Sequence, residues 1–123
     1  MKIEITEVNG VGLAHVISET TIISSTQDAL DIMMDCSYQG ADSLILHEDN
    51  LTPDFFELST GVAGDILQKF STYNCRLAII GNFEDVESKS LSAFIAESNR
   101  MGRIHFVASL EDAKEVLAPS KKE

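Results

Sequence analysis

Residues 43–47 read Ser-Leu-Ile-Leu-His, and this run decides the fold. It is too short for a helix, its centre is wholly apolar and polar residues bound it, which is the pattern of a strand buried on both faces. Residues 76–80, Arg-Leu-Ala-Ile-Ile, repeat the pattern and stop at Gly81-Asn82, and residues 104–108, Ile-His-Phe-Val-Ala, supply a third run. Strands buried on both faces belong to parallel sheets, and parallel neighbours need long crossovers that are usually helical.

Helical periodicity stands where those crossovers are needed. Between the first two runs, Val62, Ala63, Ile66, Leu67 and Phe70 form one apolar stripe, with Gly61 and Gly64 signalling close packing or a tight entry turn. Ahead of it, Thr52 before Pro53 has the N-cap and N1 chemistry of a short helical turn. Between the second and third runs, Ser88 or Ser90 can cap a helix whose face is Leu91, Phe94, Ile95 and Ser98, ended by residues 99–102. After the third run, Ser109-Leu-Glu-Asp opens a last helix with Ala113, Val116 and Leu117 inward.

Toward the N-terminus, Ser25-Thr-Gln-Asp is a capping box before the stripe Ala29, Ile32, Met33 and Cys36, with Gly40 as its stop. Residues 2–8 and 11–17 flank Asn9-Gly10, the dipeptide that two-residue hairpin turns favour. The predicted order is β-β-α-β-α-β-α-β-α. It describes one α/β domain over residues 1–118, a mixed sheet of about five strands with right-handed crossovers and about four helices, followed by a charged tail at 119–123 that is expected to fray. Folds of this kind place function at the carboxyl ends of their strands, here the loops after the third and fourth.

Composition narrows the function. The 123 residues make one domain of ordinary size, and with 44% hydrophobic residues the chain is expected to fold. Nine basic residues against twenty acidic ones give a formal charge of −11, which disfavours nucleic acid and anionic lipid as partners. Residues 1–68 hold twelve acids and the single base Lys2, so a charged partner is expected to be cationic. Acidity that merely keeps the protein soluble explains the same imbalance. Cys36 and Cys75 belong to no CxxC or Cys/His cluster and read as buried thiols. With no leader-like segment and no apolar run long enough to span a bilayer, the expected compartment is the cytoplasm.

The element order resembles the STAS fold of anti-sigma factor antagonists over nearly the whole chain. Those antagonists carry Asp-Ser-Ser/Thr-Gly-x-Gly after the third strand, where this chain has Phe55-Phe-Glu-Leu-Ser-Thr-Gly-Val-Ala-Gly64. Residues 104–107, Ile-His-Phe-Val, followed by Ser109-Leu-Glu-Asp-Ala113, are similar to that family's closing strand and helix start. Residues 36–42 together with 52–56 also resemble a small bacterial family of domains of unknown function. The STAS resemblance implies regulation by protein–protein contact through the entry to the second helix, with Ser59 first and Thr60 second as phosphorylation sites, and no cofactor.

The residues themselves allow several chemistries. Ser59 and Thr60 fall at a helix start, where free N–H groups favour a phosphate, and where Ser59 could equally be a plain N-cap. Asp49, Asp54, Phe55, Phe56, Glu57, Leu58 and Asp65 form an acid-rimmed apolar segment suited to a protein partner with a basic or mixed surface, unless the phenylalanines pack inward. The sequence leaves a homodimer open. His47, Glu48, Asp49, Asn50 and Asp54 carry ligand atoms for a small molecule or metal, although their spacing matches no metal motif and a solvated acidic loop has the same composition. His15 and His105 lie within strands and read as structural, and no catalytic triad can be assembled, so the chain is read as a non-enzyme.

Overall fold

The structure, a computed structural model, describes residues 1–120. The hairpin pairs β1 (Lys2–Val8) with β2 (Val11–Ile17) in antiparallel register through a turn in which Asn9 and Gly10 have φ of 50° and 83°. Positive φ at both central residues is what a type I′ turn demands. Strands β3 (Ser43–His47), β4 (Arg76–Ile80) and β5 (Ile104–Val107) then add in parallel, giving a five-stranded mixed sheet in the order β1-β2-β3-β4-β5. The third apolar run ends one residue earlier than predicted, because Ala108 is already the turn into the last helix.

Sequential order decides where the helices go. Each step from β2 to β5 moves one strand in the same direction, so right-handed crossovers put α1 (Thr26–Tyr38), α2 (Val62–Thr72) and α3 (Lys89–Met101) on one face. There Ala29, Ile32, Met33 and Cys36, Ala63, Ile66 and Phe70, and Ile95 close the main core over Ala14, Val16, Leu44, Leu46, Leu77, Ile79 and Phe106. Alternate strand residues Leu13, Ile45, Ala78 and Ile80 face the other way and are covered by Ala113 and Leu117 of α4 (Leu110–Leu117). The sheet is therefore covered on both faces, as its apolar strands require.

The predicted caps hold with small adjustments. Ser25, Ser88 and Ser109 accept from the backbone N–H of Asp28, Leu91 and Asp112, so Ser88 and not Ser90 opens α3. Thr52 precedes a 3-10 turn at Pro53–Phe56, but its hydroxyl caps nothing and the turn is closed by its carbonyl. One residue pins α4 to the sheet. The Arg76 guanidinium donates to the carbonyls of Leu117 at 2.9 Å, Val116 at 2.8 Å and Gly102 at 3.1 Å, satisfying the carbonyl ends of two helices from one strand. In the predicted tail, Pro119 and Ser120 are exposed without regular structure, and residues 121–123 lie outside the described residues. No helix among the described residues is long and apolar enough to cross a membrane.

Candidate functional site

Beyond β3 the chain does not run straight into a helix. It makes three successive 3-10 turns, Glu48–Asn50, Pro53–Phe56 and Leu58–Thr60, before α2 begins. Asn50 anchors the first turn and is wholly buried. Its amide donates to the carbonyls of Ser18 and Thr20 at 2.9 and 3.0 Å, its side-chain oxygen accepts from the His47 N–H at 3.0 Å, and its own carbonyl accepts from Ile22 and Ile23. A residue read as a possible ligand donor is thus a staple between two loops.

The loop after β4 lies beside this segment. Glu48 accepts from the Asn82 N–H at 3.1 Å, and a Cβ on Gly81 would come within 2.8 Å of the Glu48 carboxyl and of the Phe83 ring. Glycine at 81 lets the two loops close up. Phe55 packs edge-on against Phe56 with ring centres 5.0 Å apart, and Phe56 reaches Phe83 at 6.2 Å. Phe55 itself is 1% exposed, so it belongs to the core and is corrected from a partner-contact residue to a support beneath the surface. Phe56 and Leu58 are half-buried, and Asp49, Asp54, Glu57 and Asp65 are exposed around them.

A cleft of about 500 Å³ separates Phe56, Glu57, Leu58 and Ser59 from Ser88 and Ser90 at the start of α3. Ser59 is exposed on its wall and is not the N-cap of α2. That place is held by Gly61 at φ 77°, a conformation glycine adopts without strain, because the preceding turn delivers the chain to the helix left-handed. Thr60 is fully engaged: its hydroxyl lies 2.8 Å from the carbonyls of Asp54 and of Glu57 and accepts from the Val62 N–H at 3.2 Å. The two neighbouring hydroxyls therefore differ sharply in freedom.

The five ligand-type residues of the same segment do not converge. His47 turns to the sheet, Glu48 to Asn82, Asn50 into the protein, and Asp49 and Asp54 to solvent; no group of three or more metal-ligating side chains forms among the described residues. Instead His47 meets His15, Nε2 to Nε2 at 3.0 Å. Burial, above all, depresses the His15 pKa, and His47 and Lys114 push the same way against Glu4. That pairing was invisible in the sequence because it depends on β2 and β3 being neighbours. His105 is structural as read: its Nε2 lies 3.0 Å from the Gly102 carbonyl and 3.3 Å from Arg76. Both cysteines are buried thiols, pushed up to about 11 at Cys36 by burial and Asp35, and to about 12 at Cys75 by burial, Cys36 and Asp42.

A second crevice, of about 450 Å³, opens between the carboxyl ends of β4 and β5, over Phe83, Phe106 and Val107 with Glu84, Asp112 and Glu115 beside them. Here the connection after β4 leads to one face and that after β5 to the other, the divergence at which α/β sheets open clefts. The sequence by itself points to the loops after β3 and β4, because strand order, and hence the point of divergence, is not legible in it.

A family model described as Domain of unknown function (DUF4180) matches residues 8–117. No curated protein and no solved structure matches the chain.

Proposed function

This chain belongs to the DUF4180 family of domains of unknown function, and we propose that it works as a STAS-like regulatory domain that binds another protein through the surface of residues 49–65 and is switched by phosphorylation at Ser59. The observation that carries the proposal is the contrast between the two hydroxyls: Ser59 is exposed at the wall of the cleft, while Thr60 is taken up by its own turn. Ser59 is therefore the residue a kinase can reach without unfolding the entry to α2, and Thr60 stays second. The element order, shared in style with anti-sigma factor antagonists, lends the same support.

Charge selects the partner. Asp49, Asp54, Glu57 and Asp65 are all exposed around Phe56 and Leu58, which suits a basic or mixed partner face and no cofactor. A phosphate on Ser59 would add roughly two negative charges to an acidic rim. Against a basic partner the added charge is attractive, so a switch that releases the partner works by placing a charged, hydrated group beside the apolar contact of Phe56 and Leu58 and crowding the cleft. We read the domain as a binding module and not an enzyme, in keeping with cysteine thiols that burial holds in the protonated form.

The test is affinity capture from the native host with the parent, Ser59→Ala and Ser59→Asp, reading partners and phosphosites by mass spectrometry. A phosphate at Ser59, and a partner held by parent and Ser59→Ala but lost by Ser59→Asp, is the expected result. No phosphate on residues 59 and 60, with the same proteins captured by all three forms, would remove the switch.

A further inference from the structure

At the opposite end of the sheet, two arginines line one cleft at the amino ends of the parallel strands. Arg76 and Arg103 line a cleft of about 290 Å³ together with Asp42, Ser43 and Asn74. Arg76 is committed to the carbonyls of Val116, Leu117 and Gly102. Arg103 is not. Its Nη1 is buried and has no hydrogen-bond partner among the described residues. A buried guanidinium N–H without an acceptor is costly, and folded proteins that keep one generally supply the acceptor from a water, ion or ligand.

We infer that this cleft binds a small carboxylate through Arg103, and that an α-amino acid with a modest apolar side chain is the class it fits. The planar guanidinium fork matches a carboxylate in geometry as well as charge. Asp42 in the same lining repels a second negative charge, which disfavours phosphate, and offers an acceptor to an ammonium group. Val11, half-buried, supplies the apolar part of the lining that a ligand can reach. The volume sits at the small end of ligand pockets, enough for a molecule of amino-acid size and too little for a nucleotide. In a chain of net charge −11, this is a cleft lined by two arginines and one carboxylate, a local inversion that the overall acidity does not explain.

The inference is independent of the Ser59 surface, which lies at the other ends of the strands. Its test is titration of the full chain with L-valine, acetate and inorganic phosphate, each alone at constant ionic strength, following the Arg103 Nε–H resonance by NMR and the thermal midpoint. L-valine should give a saturable shift, acetate should bind about tenfold more weakly, and phosphate should give none. Arg103→Met should abolish the response while melting, without ligand, no lower than the parent, since its methionine leaves no unpaired donor. Asp42→Asn should reduce valine binding to the level of acetate. Acetate binding without a preference for valine overturns the amino-acid assignment; a preference for phosphate, no saturable response to either carboxylate, or unchanged binding by a folded Arg103→Met overturns the site.

Discussion

His105 shows how one side chain ties packing to solution conditions. It is 8% exposed, and burial, more than the neighbouring Arg76 guanidinium, lowers its pKa below the ordinary 6.5, while the Gly102 carbonyl resists the shift. The unfolded chain therefore binds this proton more readily than the folded one, so stability rises with pH between the two values and is level above about 6.5. On acidification the loss begins near the unfolded value and continues down to the folded one. The urea midpoint should accordingly fall between about pH 7.5 and about pH 5.5, and His105→Gln should show a shallower fall. His15, whose pKa is depressed in the same direction, leaves a residual slope in that variant. Equal slopes in parent and variant would mean that His105 is as easily protonated folded as unfolded. Asn50 makes the same point for polar groups: its amide and backbone join the loop after β2 to the loop after β3, and nothing in the sequence around it announces those partners.

At the scale of elements, legibility follows the range of the interactions that build each piece. The hairpin, the capped starts of α1, α3 and α4, and the apolar runs of β3 and β4 are dictated by neighbours within a few residues, and the structure has them where the sequence predicts them. The three 3-10 turns before α2 are not legible in this way. Only Thr52-Pro53 marks one of them locally; the first is held by Glu48 against Asn82 and by Asn50 against residues 18–23, and the third by the Thr60 hydroxyl on the carbonyls of Asp54 and Glu57. The same limit explains the candidate site. Its residues form one segment of the chain, but Phe55 turns inward and the facing wall, Ser88 and Ser90, comes from the start of α3. The last helix provides a direct measure of such long-range dependence. With eight residues it is too short to persist alone, and Arg76 satisfies its terminal carbonyls. Arg76→Met keeps most of the side-chain packing and removes three charge-assisted hydrogen bonds, so it should cost about 2–3 kcal/mol in urea unfolding, with amide exchange in residues 110–117 rising first. A loss confined to a few tenths would show that apolar packing of Ala113 and Leu117 is sufficient to hold α4.

Over the whole molecule, strand order turns a property of the sequence into one of space. Because the sheet runs β1-β2-β3-β4-β5, neighbours along the chain remain neighbours in the fold. The first 68 residues, with twelve acids and one base, form the side of the molecule built on β1 to β3, while residues 69–120, with seven acids and six bases, form the side built on β4 and β5. A doubly wound order that returned across its own start would have mixed the two populations. The protein is thus electrostatically lopsided, acidic at one edge and balanced at the other, and the acids of residues 49–65 lie within its acidic half. Self-repulsion should be concentrated there. Reversing Glu7 and Glu19, both exposed in the acidic half, to lysine should stabilise the fold by about 0.5 kcal/mol each at low ionic strength. Reversing Glu84 and Glu87, exposed in the balanced half, should do less, and at about 1 M salt, where screening reaches only about 3 Å, the two pairs should become indistinguishable. Thermal midpoints at both ionic strengths decide it: equal gains from the two pairs at low salt would show that the charge asymmetry of the sequence is averaged out in the fold, and with it would go the reason to expect a cationic partner on the β1–β3 side.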